Sequence, residues 1–247
     1  MEHPVPSGPL AVRWHAYSVA EVHAGALTLA RVELENVGLA GWRERTESSM
    51  SVAGVSASYH WLDERGNAIV WDGIRTPLEL PPGGRAELEL PVRGPIPPGA
   101  YRLAFDLLDE LRLWFAEVGN YAPELAVEVL PRLADGAVDL LPPDAEPAPD
   151  RSARVRAAHE EGYAAVGGSL EVVTGRLGRV PSELRPYEPG GGRNPGFAHP
   201  LVCPSLLPGL EPNAEVAGLP AWRPEGDEPW LYDGRITARL RVGRQAG

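Results

Sequence analysis

Residues 59 to 76 read Tyr59-His60-Trp61-Leu62-Asp63-Glu64-Arg65-Gly66-Asn67-Ala68-Ile69-Val70-Trp71-Asp72-Gly73-Ile74-Arg75-Thr76. Together with the residues just before it, this stretch decides the fold of the first half of the chain. From Val55 to Leu62 the side chains alternate. Val55, Ala57, Tyr59 and Trp61 share one face, and Ser56, Ser58 and His60 share the other, the period-two signature of a strand with one face in a core. Gly66-Asn67 marks a turn, Ala68 to Trp71 a return strand, and Asp72-Gly73 a second turn.

The same grammar extends outward in both directions. Leu10 to Ala16 is a first strand. Leu27 to Glu35 puts Thr28, Ala30, Val32 and Leu34 on one side and ends at Asn36-Val37-Gly38. Arg85 to Val92 turns Leu88, Leu90 and Val92 inward. Tyr101 to Leu107 aligns Tyr101, Leu103, Phe105 and Leu107, and Leu113-Trp114-Phe115 and Leu125 to Val129 complete the series. Short alternating strands with a turn about every ten residues, and no helical pattern between them, spell a mostly β protein built on an antiparallel β-sandwich over residues 10–131.

The composition changes after that. Residues 132–150, with Pro142-Pro143-Asp144-Ala145-Glu146-Pro147, read as an acidic, proline-rich linker. Residues 151–247 read as a loop-rich region packing on the sandwich. Its one short helix spans Ser152 to Val166, capped by Ser152 and ended by Gly167-Gly168. A terminal β-hairpin turns at Asp233-Gly234 between Trp230-Leu231-Tyr232 and Ile236 to Leu240. Aromatics at Tyr187, Phe197, Trp222, Trp230 and Tyr232 imply that this region packs onto something.

The totals exclude several function classes. The net charge is −11, the wrong sign for a phosphate-backbone binder or for an anionic membrane surface, so nucleic acid is not expected as a partner. All the basic residues are arginine. With one cysteine, Cys203, the chain has neither an intramolecular disulfide nor a multi-cysteine metal site. No basic leader followed by an apolar run and no spanning segment stand in the sequence, so membrane insertion is not expected and the default location is cytoplasmic unless a longer parent chain carries an address.

Three segments carry a family resemblance: Glu35-Asn36-Val37-Gly38 with Trp42 just after, Pro82-Gly83 ahead of an alternating strand, and Pro97-Pro98-Gly99-Ala100-Tyr101 leading to Leu107, Glu110, Trp114 and Phe115. The pattern resembles the Ig-like accessory domains of bacterial surface-polysaccharide machinery. These are joined to glycosyltransferases or form the carbohydrate-recognising domain of O-antigen export ATPases. It is more distantly similar to four-tryptophan Ig-like domains, although Val32 stands in place of the first tryptophan of that pattern and Val37 in place of its threonine. The resemblance covers roughly residues 25 to 130. It implies a non-catalytic glycan-binding or accessory role, with a glycan or a glycosyltransferase as partner and no cofactor.

In an Ig-like sandwich Val55 to Leu62, Tyr101 to Leu107 and Leu113 to Glu117 take the places of strands C, F and G and share a sheet. Its outer face then carries Ser56, Ser58, His60, Arg102, Asp106, Arg112 and Trp114. An aromatic ring beside carboxylate, guanidinium and imidazole groups is the chemistry that holds a sugar. The expected ligand contacts are His60, Arg102, Asp106 and Trp114, with Trp71 and Arg75 second, from a loop-borne group that includes Trp42 and Asp72. Two alternatives stand beside this reading: a protein-interaction domain docking a glycosyltransferase through that face, and a glycan-active enzyme using Asp106 and Glu110 as paired carboxylates. Other motifs are poorer. His159-Glu160-Glu161 lacks the second histidine of a zinc-protease helix. His199 and Cys203 lack a third orienting group, and Gly190-Gly191-Gly192 neither follows a strand nor opens a helix.

Overall fold

A computed structural model describes residues 5–43, 54–174 and 200–242, with the side chains of 172–174 and 241–242 left aside. The chain divides into two compact units, Met1–Leu130 and Pro131–Gly247.

The first unit holds β1 (Val12–Val19), β2 (Val22–His23), β3 (Leu27–Asn36), β4 (Val55–Leu62), β5 (Ala68–Val70), β6 (Thr76–Leu78), β7 (Arg85–Arg93), β8 (Gly99–Asp109), β9 (Leu113–Trp114) and β10 (Glu124–Leu130). They form two sheets. One runs β1-β3-β7, and the other β2-β10-β8-β4-β5, with β6 also on β4 and β9 on β8. All pairs are antiparallel except the short β2–β10 contact. The inward faces meet in one core that includes Ala30, Val32 and Leu34 of β3, Leu90 and Val92 of β7, Tyr59 and Trp61 of β4, and Leu103, Phe105 and Leu107 of β8. This is the sandwich that the alternation predicts, with each apolar set on the expected side.

Trp61, with no exposed surface, is its largest fully buried side chain. Its indole N–H donates to the Arg93 carbonyl at 2.8 Å, and the Arg93 N–H donates to the Tyr59 hydroxyl at 2.9 Å. Two aromatic groups of β4 thus grip the backbone of a strand in the opposite sheet, so the polar ends of both rings are satisfied where burial would otherwise penalise them.

The edge of this sheet differs from the sequence reading. The neighbour of β8 on the side away from β4 is β10, with Leu125 opposite Leu103 and Val127 opposite Tyr101. Leu113 and Trp114 pair only with Asp109 and Leu108. The chain then enters a 3₁₀ turn, Phe115–Val118. Trp114 therefore closes a two-residue strand at the sheet's edge, just before the chain turns, and does not lie on a full strand reaching Glu117.

The second unit holds β11 (Val138–Asp139), β12 (Ala145–Pro147), α1 (Arg151–Glu161), β13 (Ala165–Thr174), β14 (Leu201–Val202), β15 (Ser205–Leu206), β16 (Ala214–Val216), β17 (Leu219–Trp222) and β18 (Trp230–Val242). A five-stranded sheet runs β11-β15-β13-β18-β12, and a three-stranded one β14-β17-β16. The proline-rich segment 132–150, expected as a linker, supplies two strands of the larger sheet.

The expected terminal hairpin is not formed. Trp230–Val242 is one strand, paired in parallel with β13 from Ala165↔Trp230 to Thr174↔Val242. Asp233-Gly234 makes a bulge: the register runs Gly168↔Asp233 and then Ser169↔Thr237, so three residues are passed over. Asp233 accepts from the backbone and guanidinium of Arg235 within this bulge. The helix also stops earlier than expected. Gly162 closes it, and Gly167 and Gly168 lie inside β13 because a side chain would not fit there. A Cβ on Gly168 would stand 1.8 Å from the Ile236 carbonyl oxygen. Tyr187, Phe197, His199 and Gly190 to Gly192 lie outside the described residues, and no helix among those described is long and apolar enough to cross a membrane.

Candidate functional site

Period two puts His60 on the face of β4 turned away from the core, opposite Ala104, with Ser58 opposite Asp106. The expected ligand contacts need that face open. Instead Ser56, Ser58, His60, Ala104, Asp106 and Leu108 are all buried, because loops of the same unit lie over them.

The first covering segment follows β5. The Gly73 N–H donates to the Tyr59 carbonyl at 3.1 Å, and a Cβ on Gly73 would meet that oxygen at 2.5 Å and the Tyr59 ring at 2.8 Å. Glycine is therefore what lets the 71–75 segment run against β4. This lays Trp71 on His60, with ring centroids 4.1 Å apart and planes inclined by 19°. His60 Nδ1 is hydrogen-bonded to the Trp71 backbone carbonyl. A carbonyl only accepts, so Nδ1 carries the proton. Nε2, without a hydrogen-bond partner, lies 3.8 Å from Asp106 Oδ2.

The second covering segment is the 3₁₀ turn. Asp106 accepts the N–H of Leu107 at 2.8 Å and of Ala116 at 3.3 Å, so its carboxylate anchors this turn from below. Trp114, half-buried, meets His60 edge-on at 4.3 Å and Trp71 at 6.2 Å.

Arg75 joins the two segments. Its guanidinium carbon lies 5.1 Å over the Trp114 ring. Nη1 donates to the Gly73 carbonyl at 2.7 Å and to Ser58 Oγ at 3.4 Å. Nη2 pairs with Asp72, and Nε lies 3.5 Å from Glu110 Oε1. Nearby, Arg112 pairs with Asp109 at 3.0 Å. Burial pushes the Asp109 carboxyl up, and the Arg112 charge works against that shift.

Two groups that look separate in the sequence thus become one cluster: His60 and Trp114 from the sheet side, Trp71, Asp72 and Arg75 from the loop side. Trp71, placed second by the sequence, is its outermost ring, with 51% of its surface exposed. Asp106 and His60, placed first, lie underneath. Trp42 is not a member; it is core, edge-on to Phe115 at 5.4 Å. Arg102 also stands apart, opposite Leu62 at the far end of β4 and paired with Glu124 at 2.9 Å. The parts that sequence reasoning misses are Asp72 and Glu110 as joint partners of Arg75. The one signal for them is the Trp71-Asp72-Gly73-x-Arg75 spacing, which also reads as a plain turn.

The second unit has a buried polar cluster of its own. Arg151, 2% exposed, makes a two-pronged contact with Asp139 at 3.1 and 2.9 Å and also donates to the Cys203 carbonyl at 3.2 Å. His159, fully buried, donates from Nδ1 to the Tyr163 carbonyl at 2.8 Å, and its Nε2 accepts from Ser205 Oγ at 3.0 Å. Burial holds its imidazole below the ordinary range. Cys203 is buried, and burial pushes its thiol up to about 11, the reverse of what a nucleophile requires. These groups are saturated by one another and offer no open face to a ligand. No group of three or more His, Cys, Asp and Glu among the described residues has the arrangement to hold a metal ion.

No protein-family model matches the chain, and no curated protein matches it. Among solved structures it is similar to the C-terminal domain of Wzt, at a TM-score of 0.35 and 8% identity over 51% of this chain and 77% of that one. A likeness of that size assigns neither family nor ligand, so any function has to be argued from the site itself.

Proposed function

We propose that the first unit is a non-catalytic glycan-binding module, serving as an accessory domain in bacterial polysaccharide or glycoconjugate assembly. One observation carries the proposal: a tryptophan ring with half its surface in solvent is backed by a buried imidazole and flanked by carboxylates and a guanidinium. An indole face fixed in this way meets the C–H surface of a pyranose ring, and the neighbouring oxygens accept from its hydroxyls. Preorganisation matters here, because a ring already held by His60 loses little rotational freedom when a sugar stacks on it. The surface-polysaccharide setting is supported by the turn and aromatic motifs between residues 25 and 130.

The enzymatic alternative needs Asp106 as a free acid or base. Asp106 is 1% exposed and engaged by two backbone N–H groups, which argues for a structural carboxylate. The interaction-domain alternative needs an open sheet face around His60, and that face is covered.

Screening the full chain on a glycan array, followed by calorimetric titration, tests the proposal. At least one polysaccharide class binds, and Trp71→Ala abolishes binding while its melting temperature stays close to wild type, because the lost ring is half exposed. Binding that survives Trp71→Ala unchanged, or no glycan binding at all, overturns it.

A further inference from the structure

Resting on that reading, we infer that the Trp71 face selects neutral and amino sugars and turns away acidic ones, those carrying carboxylate, sulfate or phosphate.

A site for an acidic sugar needs a cation with donors to spare, usually an arginine presenting its fork. The guanidinium beside Trp71 is already paired with two carboxylates. All three nitrogens of Arg75 are directed at Gly73, Ser58, Asp72 and Glu110, and its flat face lies on Trp114. Arg112, close by in the β8–β9 turn, is paired with Asp109.

The acceptors are in the opposite condition. Asp72 meets Arg75 through Oδ1 alone and its side chain is 68% exposed, so Oδ2 faces solvent. Asp72 and Glu110 flank the single charge of Arg75. Two carboxylates against one guanidinium leave an excess of one negative charge beside the ring. A hydroxyl or an ammonium brings the protons that these acceptors lack. A ligand carboxylate brings another acceptor into a field of the same sign, which like-charge repulsion opposes. The net charge of −11 adds a long-range term in the same direction.

The test uses the full chain, a glycan array sorted by charge class, and titrations with chitotetraose, its de-N-acetylated tetramer and tetragalacturonate at low salt. Array hits fall among neutral and amino glycans, and acidic glycans bind at least about tenfold more weakly than the best of these. Added salt weakens the amino class and not the neutral one. Asp72→Asn, at an exposed position, lowers affinity for amino glycans and raises it for acidic ones by removing one of the two carboxylates that pair with Arg75. Acidic glycans that bind the wild type best and lose binding on Trp71→Ala would overturn the inference while leaving the glycan-binding reading in place. Absence of binding by every class overturns both.

Discussion

His60 and Trp61 are adjacent in sequence and do opposite work. Trp61 is enclosed by the sandwich and tied to the facing sheet through Arg93. Trp61→Ala removes both packing and that anchor, and costs about 3–5 kcal/mol of the first unit's stability. Chemical denaturation followed by far-ultraviolet circular dichroism measures it, and a cost below about 1 kcal/mol would contradict the packing described. His60 holds a ring at the surface instead of filling the core. The face on which each residue stands is legible in the sequence, because alternation alone decides it. What lies over a face is not. Burial of His60 and Asp106 depends on two loops, and the path of the 71–75 loop depends on a close approach by Gly73 to Tyr59. Trp114 illustrates the same limit. It closes a two-residue strand, and its position follows from the 3₁₀ turn at Phe115.

At the scale of elements, the first unit is legible nearly strand by strand. Each of its strands is framed by local turn chemistry, and its partners are close in sequence or set by one buried face. The second unit is not. Asp233-Gly234 carries a short-range hairpin signal, but the pairing that forms is parallel and joins residues more than sixty positions apart. Such pairing leaves no local trace, and the two glycines that allow it also read as a helix stop. Gly168→Ala therefore has a definite cost: the added methyl overlaps the Ile236 carbonyl, and something must move. The variant loses cooperative unfolding of the second unit, or its midpoint falls by many degrees, whereas Gly209→Ala, with open space around it but a left-handed φ of 94°, costs about 1 kcal/mol. A wild-type melting curve for Gly168→Ala would refute the close approach of β13 and β18.

For the whole molecule, the division into two units with separate cores implies two calorimetric transitions that respond differently to pH. His159 supplies the difference. Its folded-state pKa is lowered by burial, so in the window between the folded value and about 6.5 the unfolded chain binds more protons. The stability that this group contributes is fully present above pH of about 6.5 and is lost as pH falls below it. The transition of the second unit therefore moves to lower temperature between pH 7.5 and pH 5. His159→Gln, which can keep a neutral donor and acceptor, flattens that dependence. A shift confined to the first unit would show that the assignment is wrong.

The parallel β13–β18 ladder also has a consequence for the order in which the protein is made. Synthesis is vectorial, and Trp230–Val242 emerges long after β13 yet lies between β13 and β12 in the five-stranded sheet. The first unit has all its strands by Leu130 and can condense while translation continues. The second must wait with β12 and β13 exposed until the last of its strands arrives. In the cell, chaperone occupancy and proteolytic loss then fall on residues 131–230 of nascent chains, and stalling just before Trp230 yields a molecule half of which is already native.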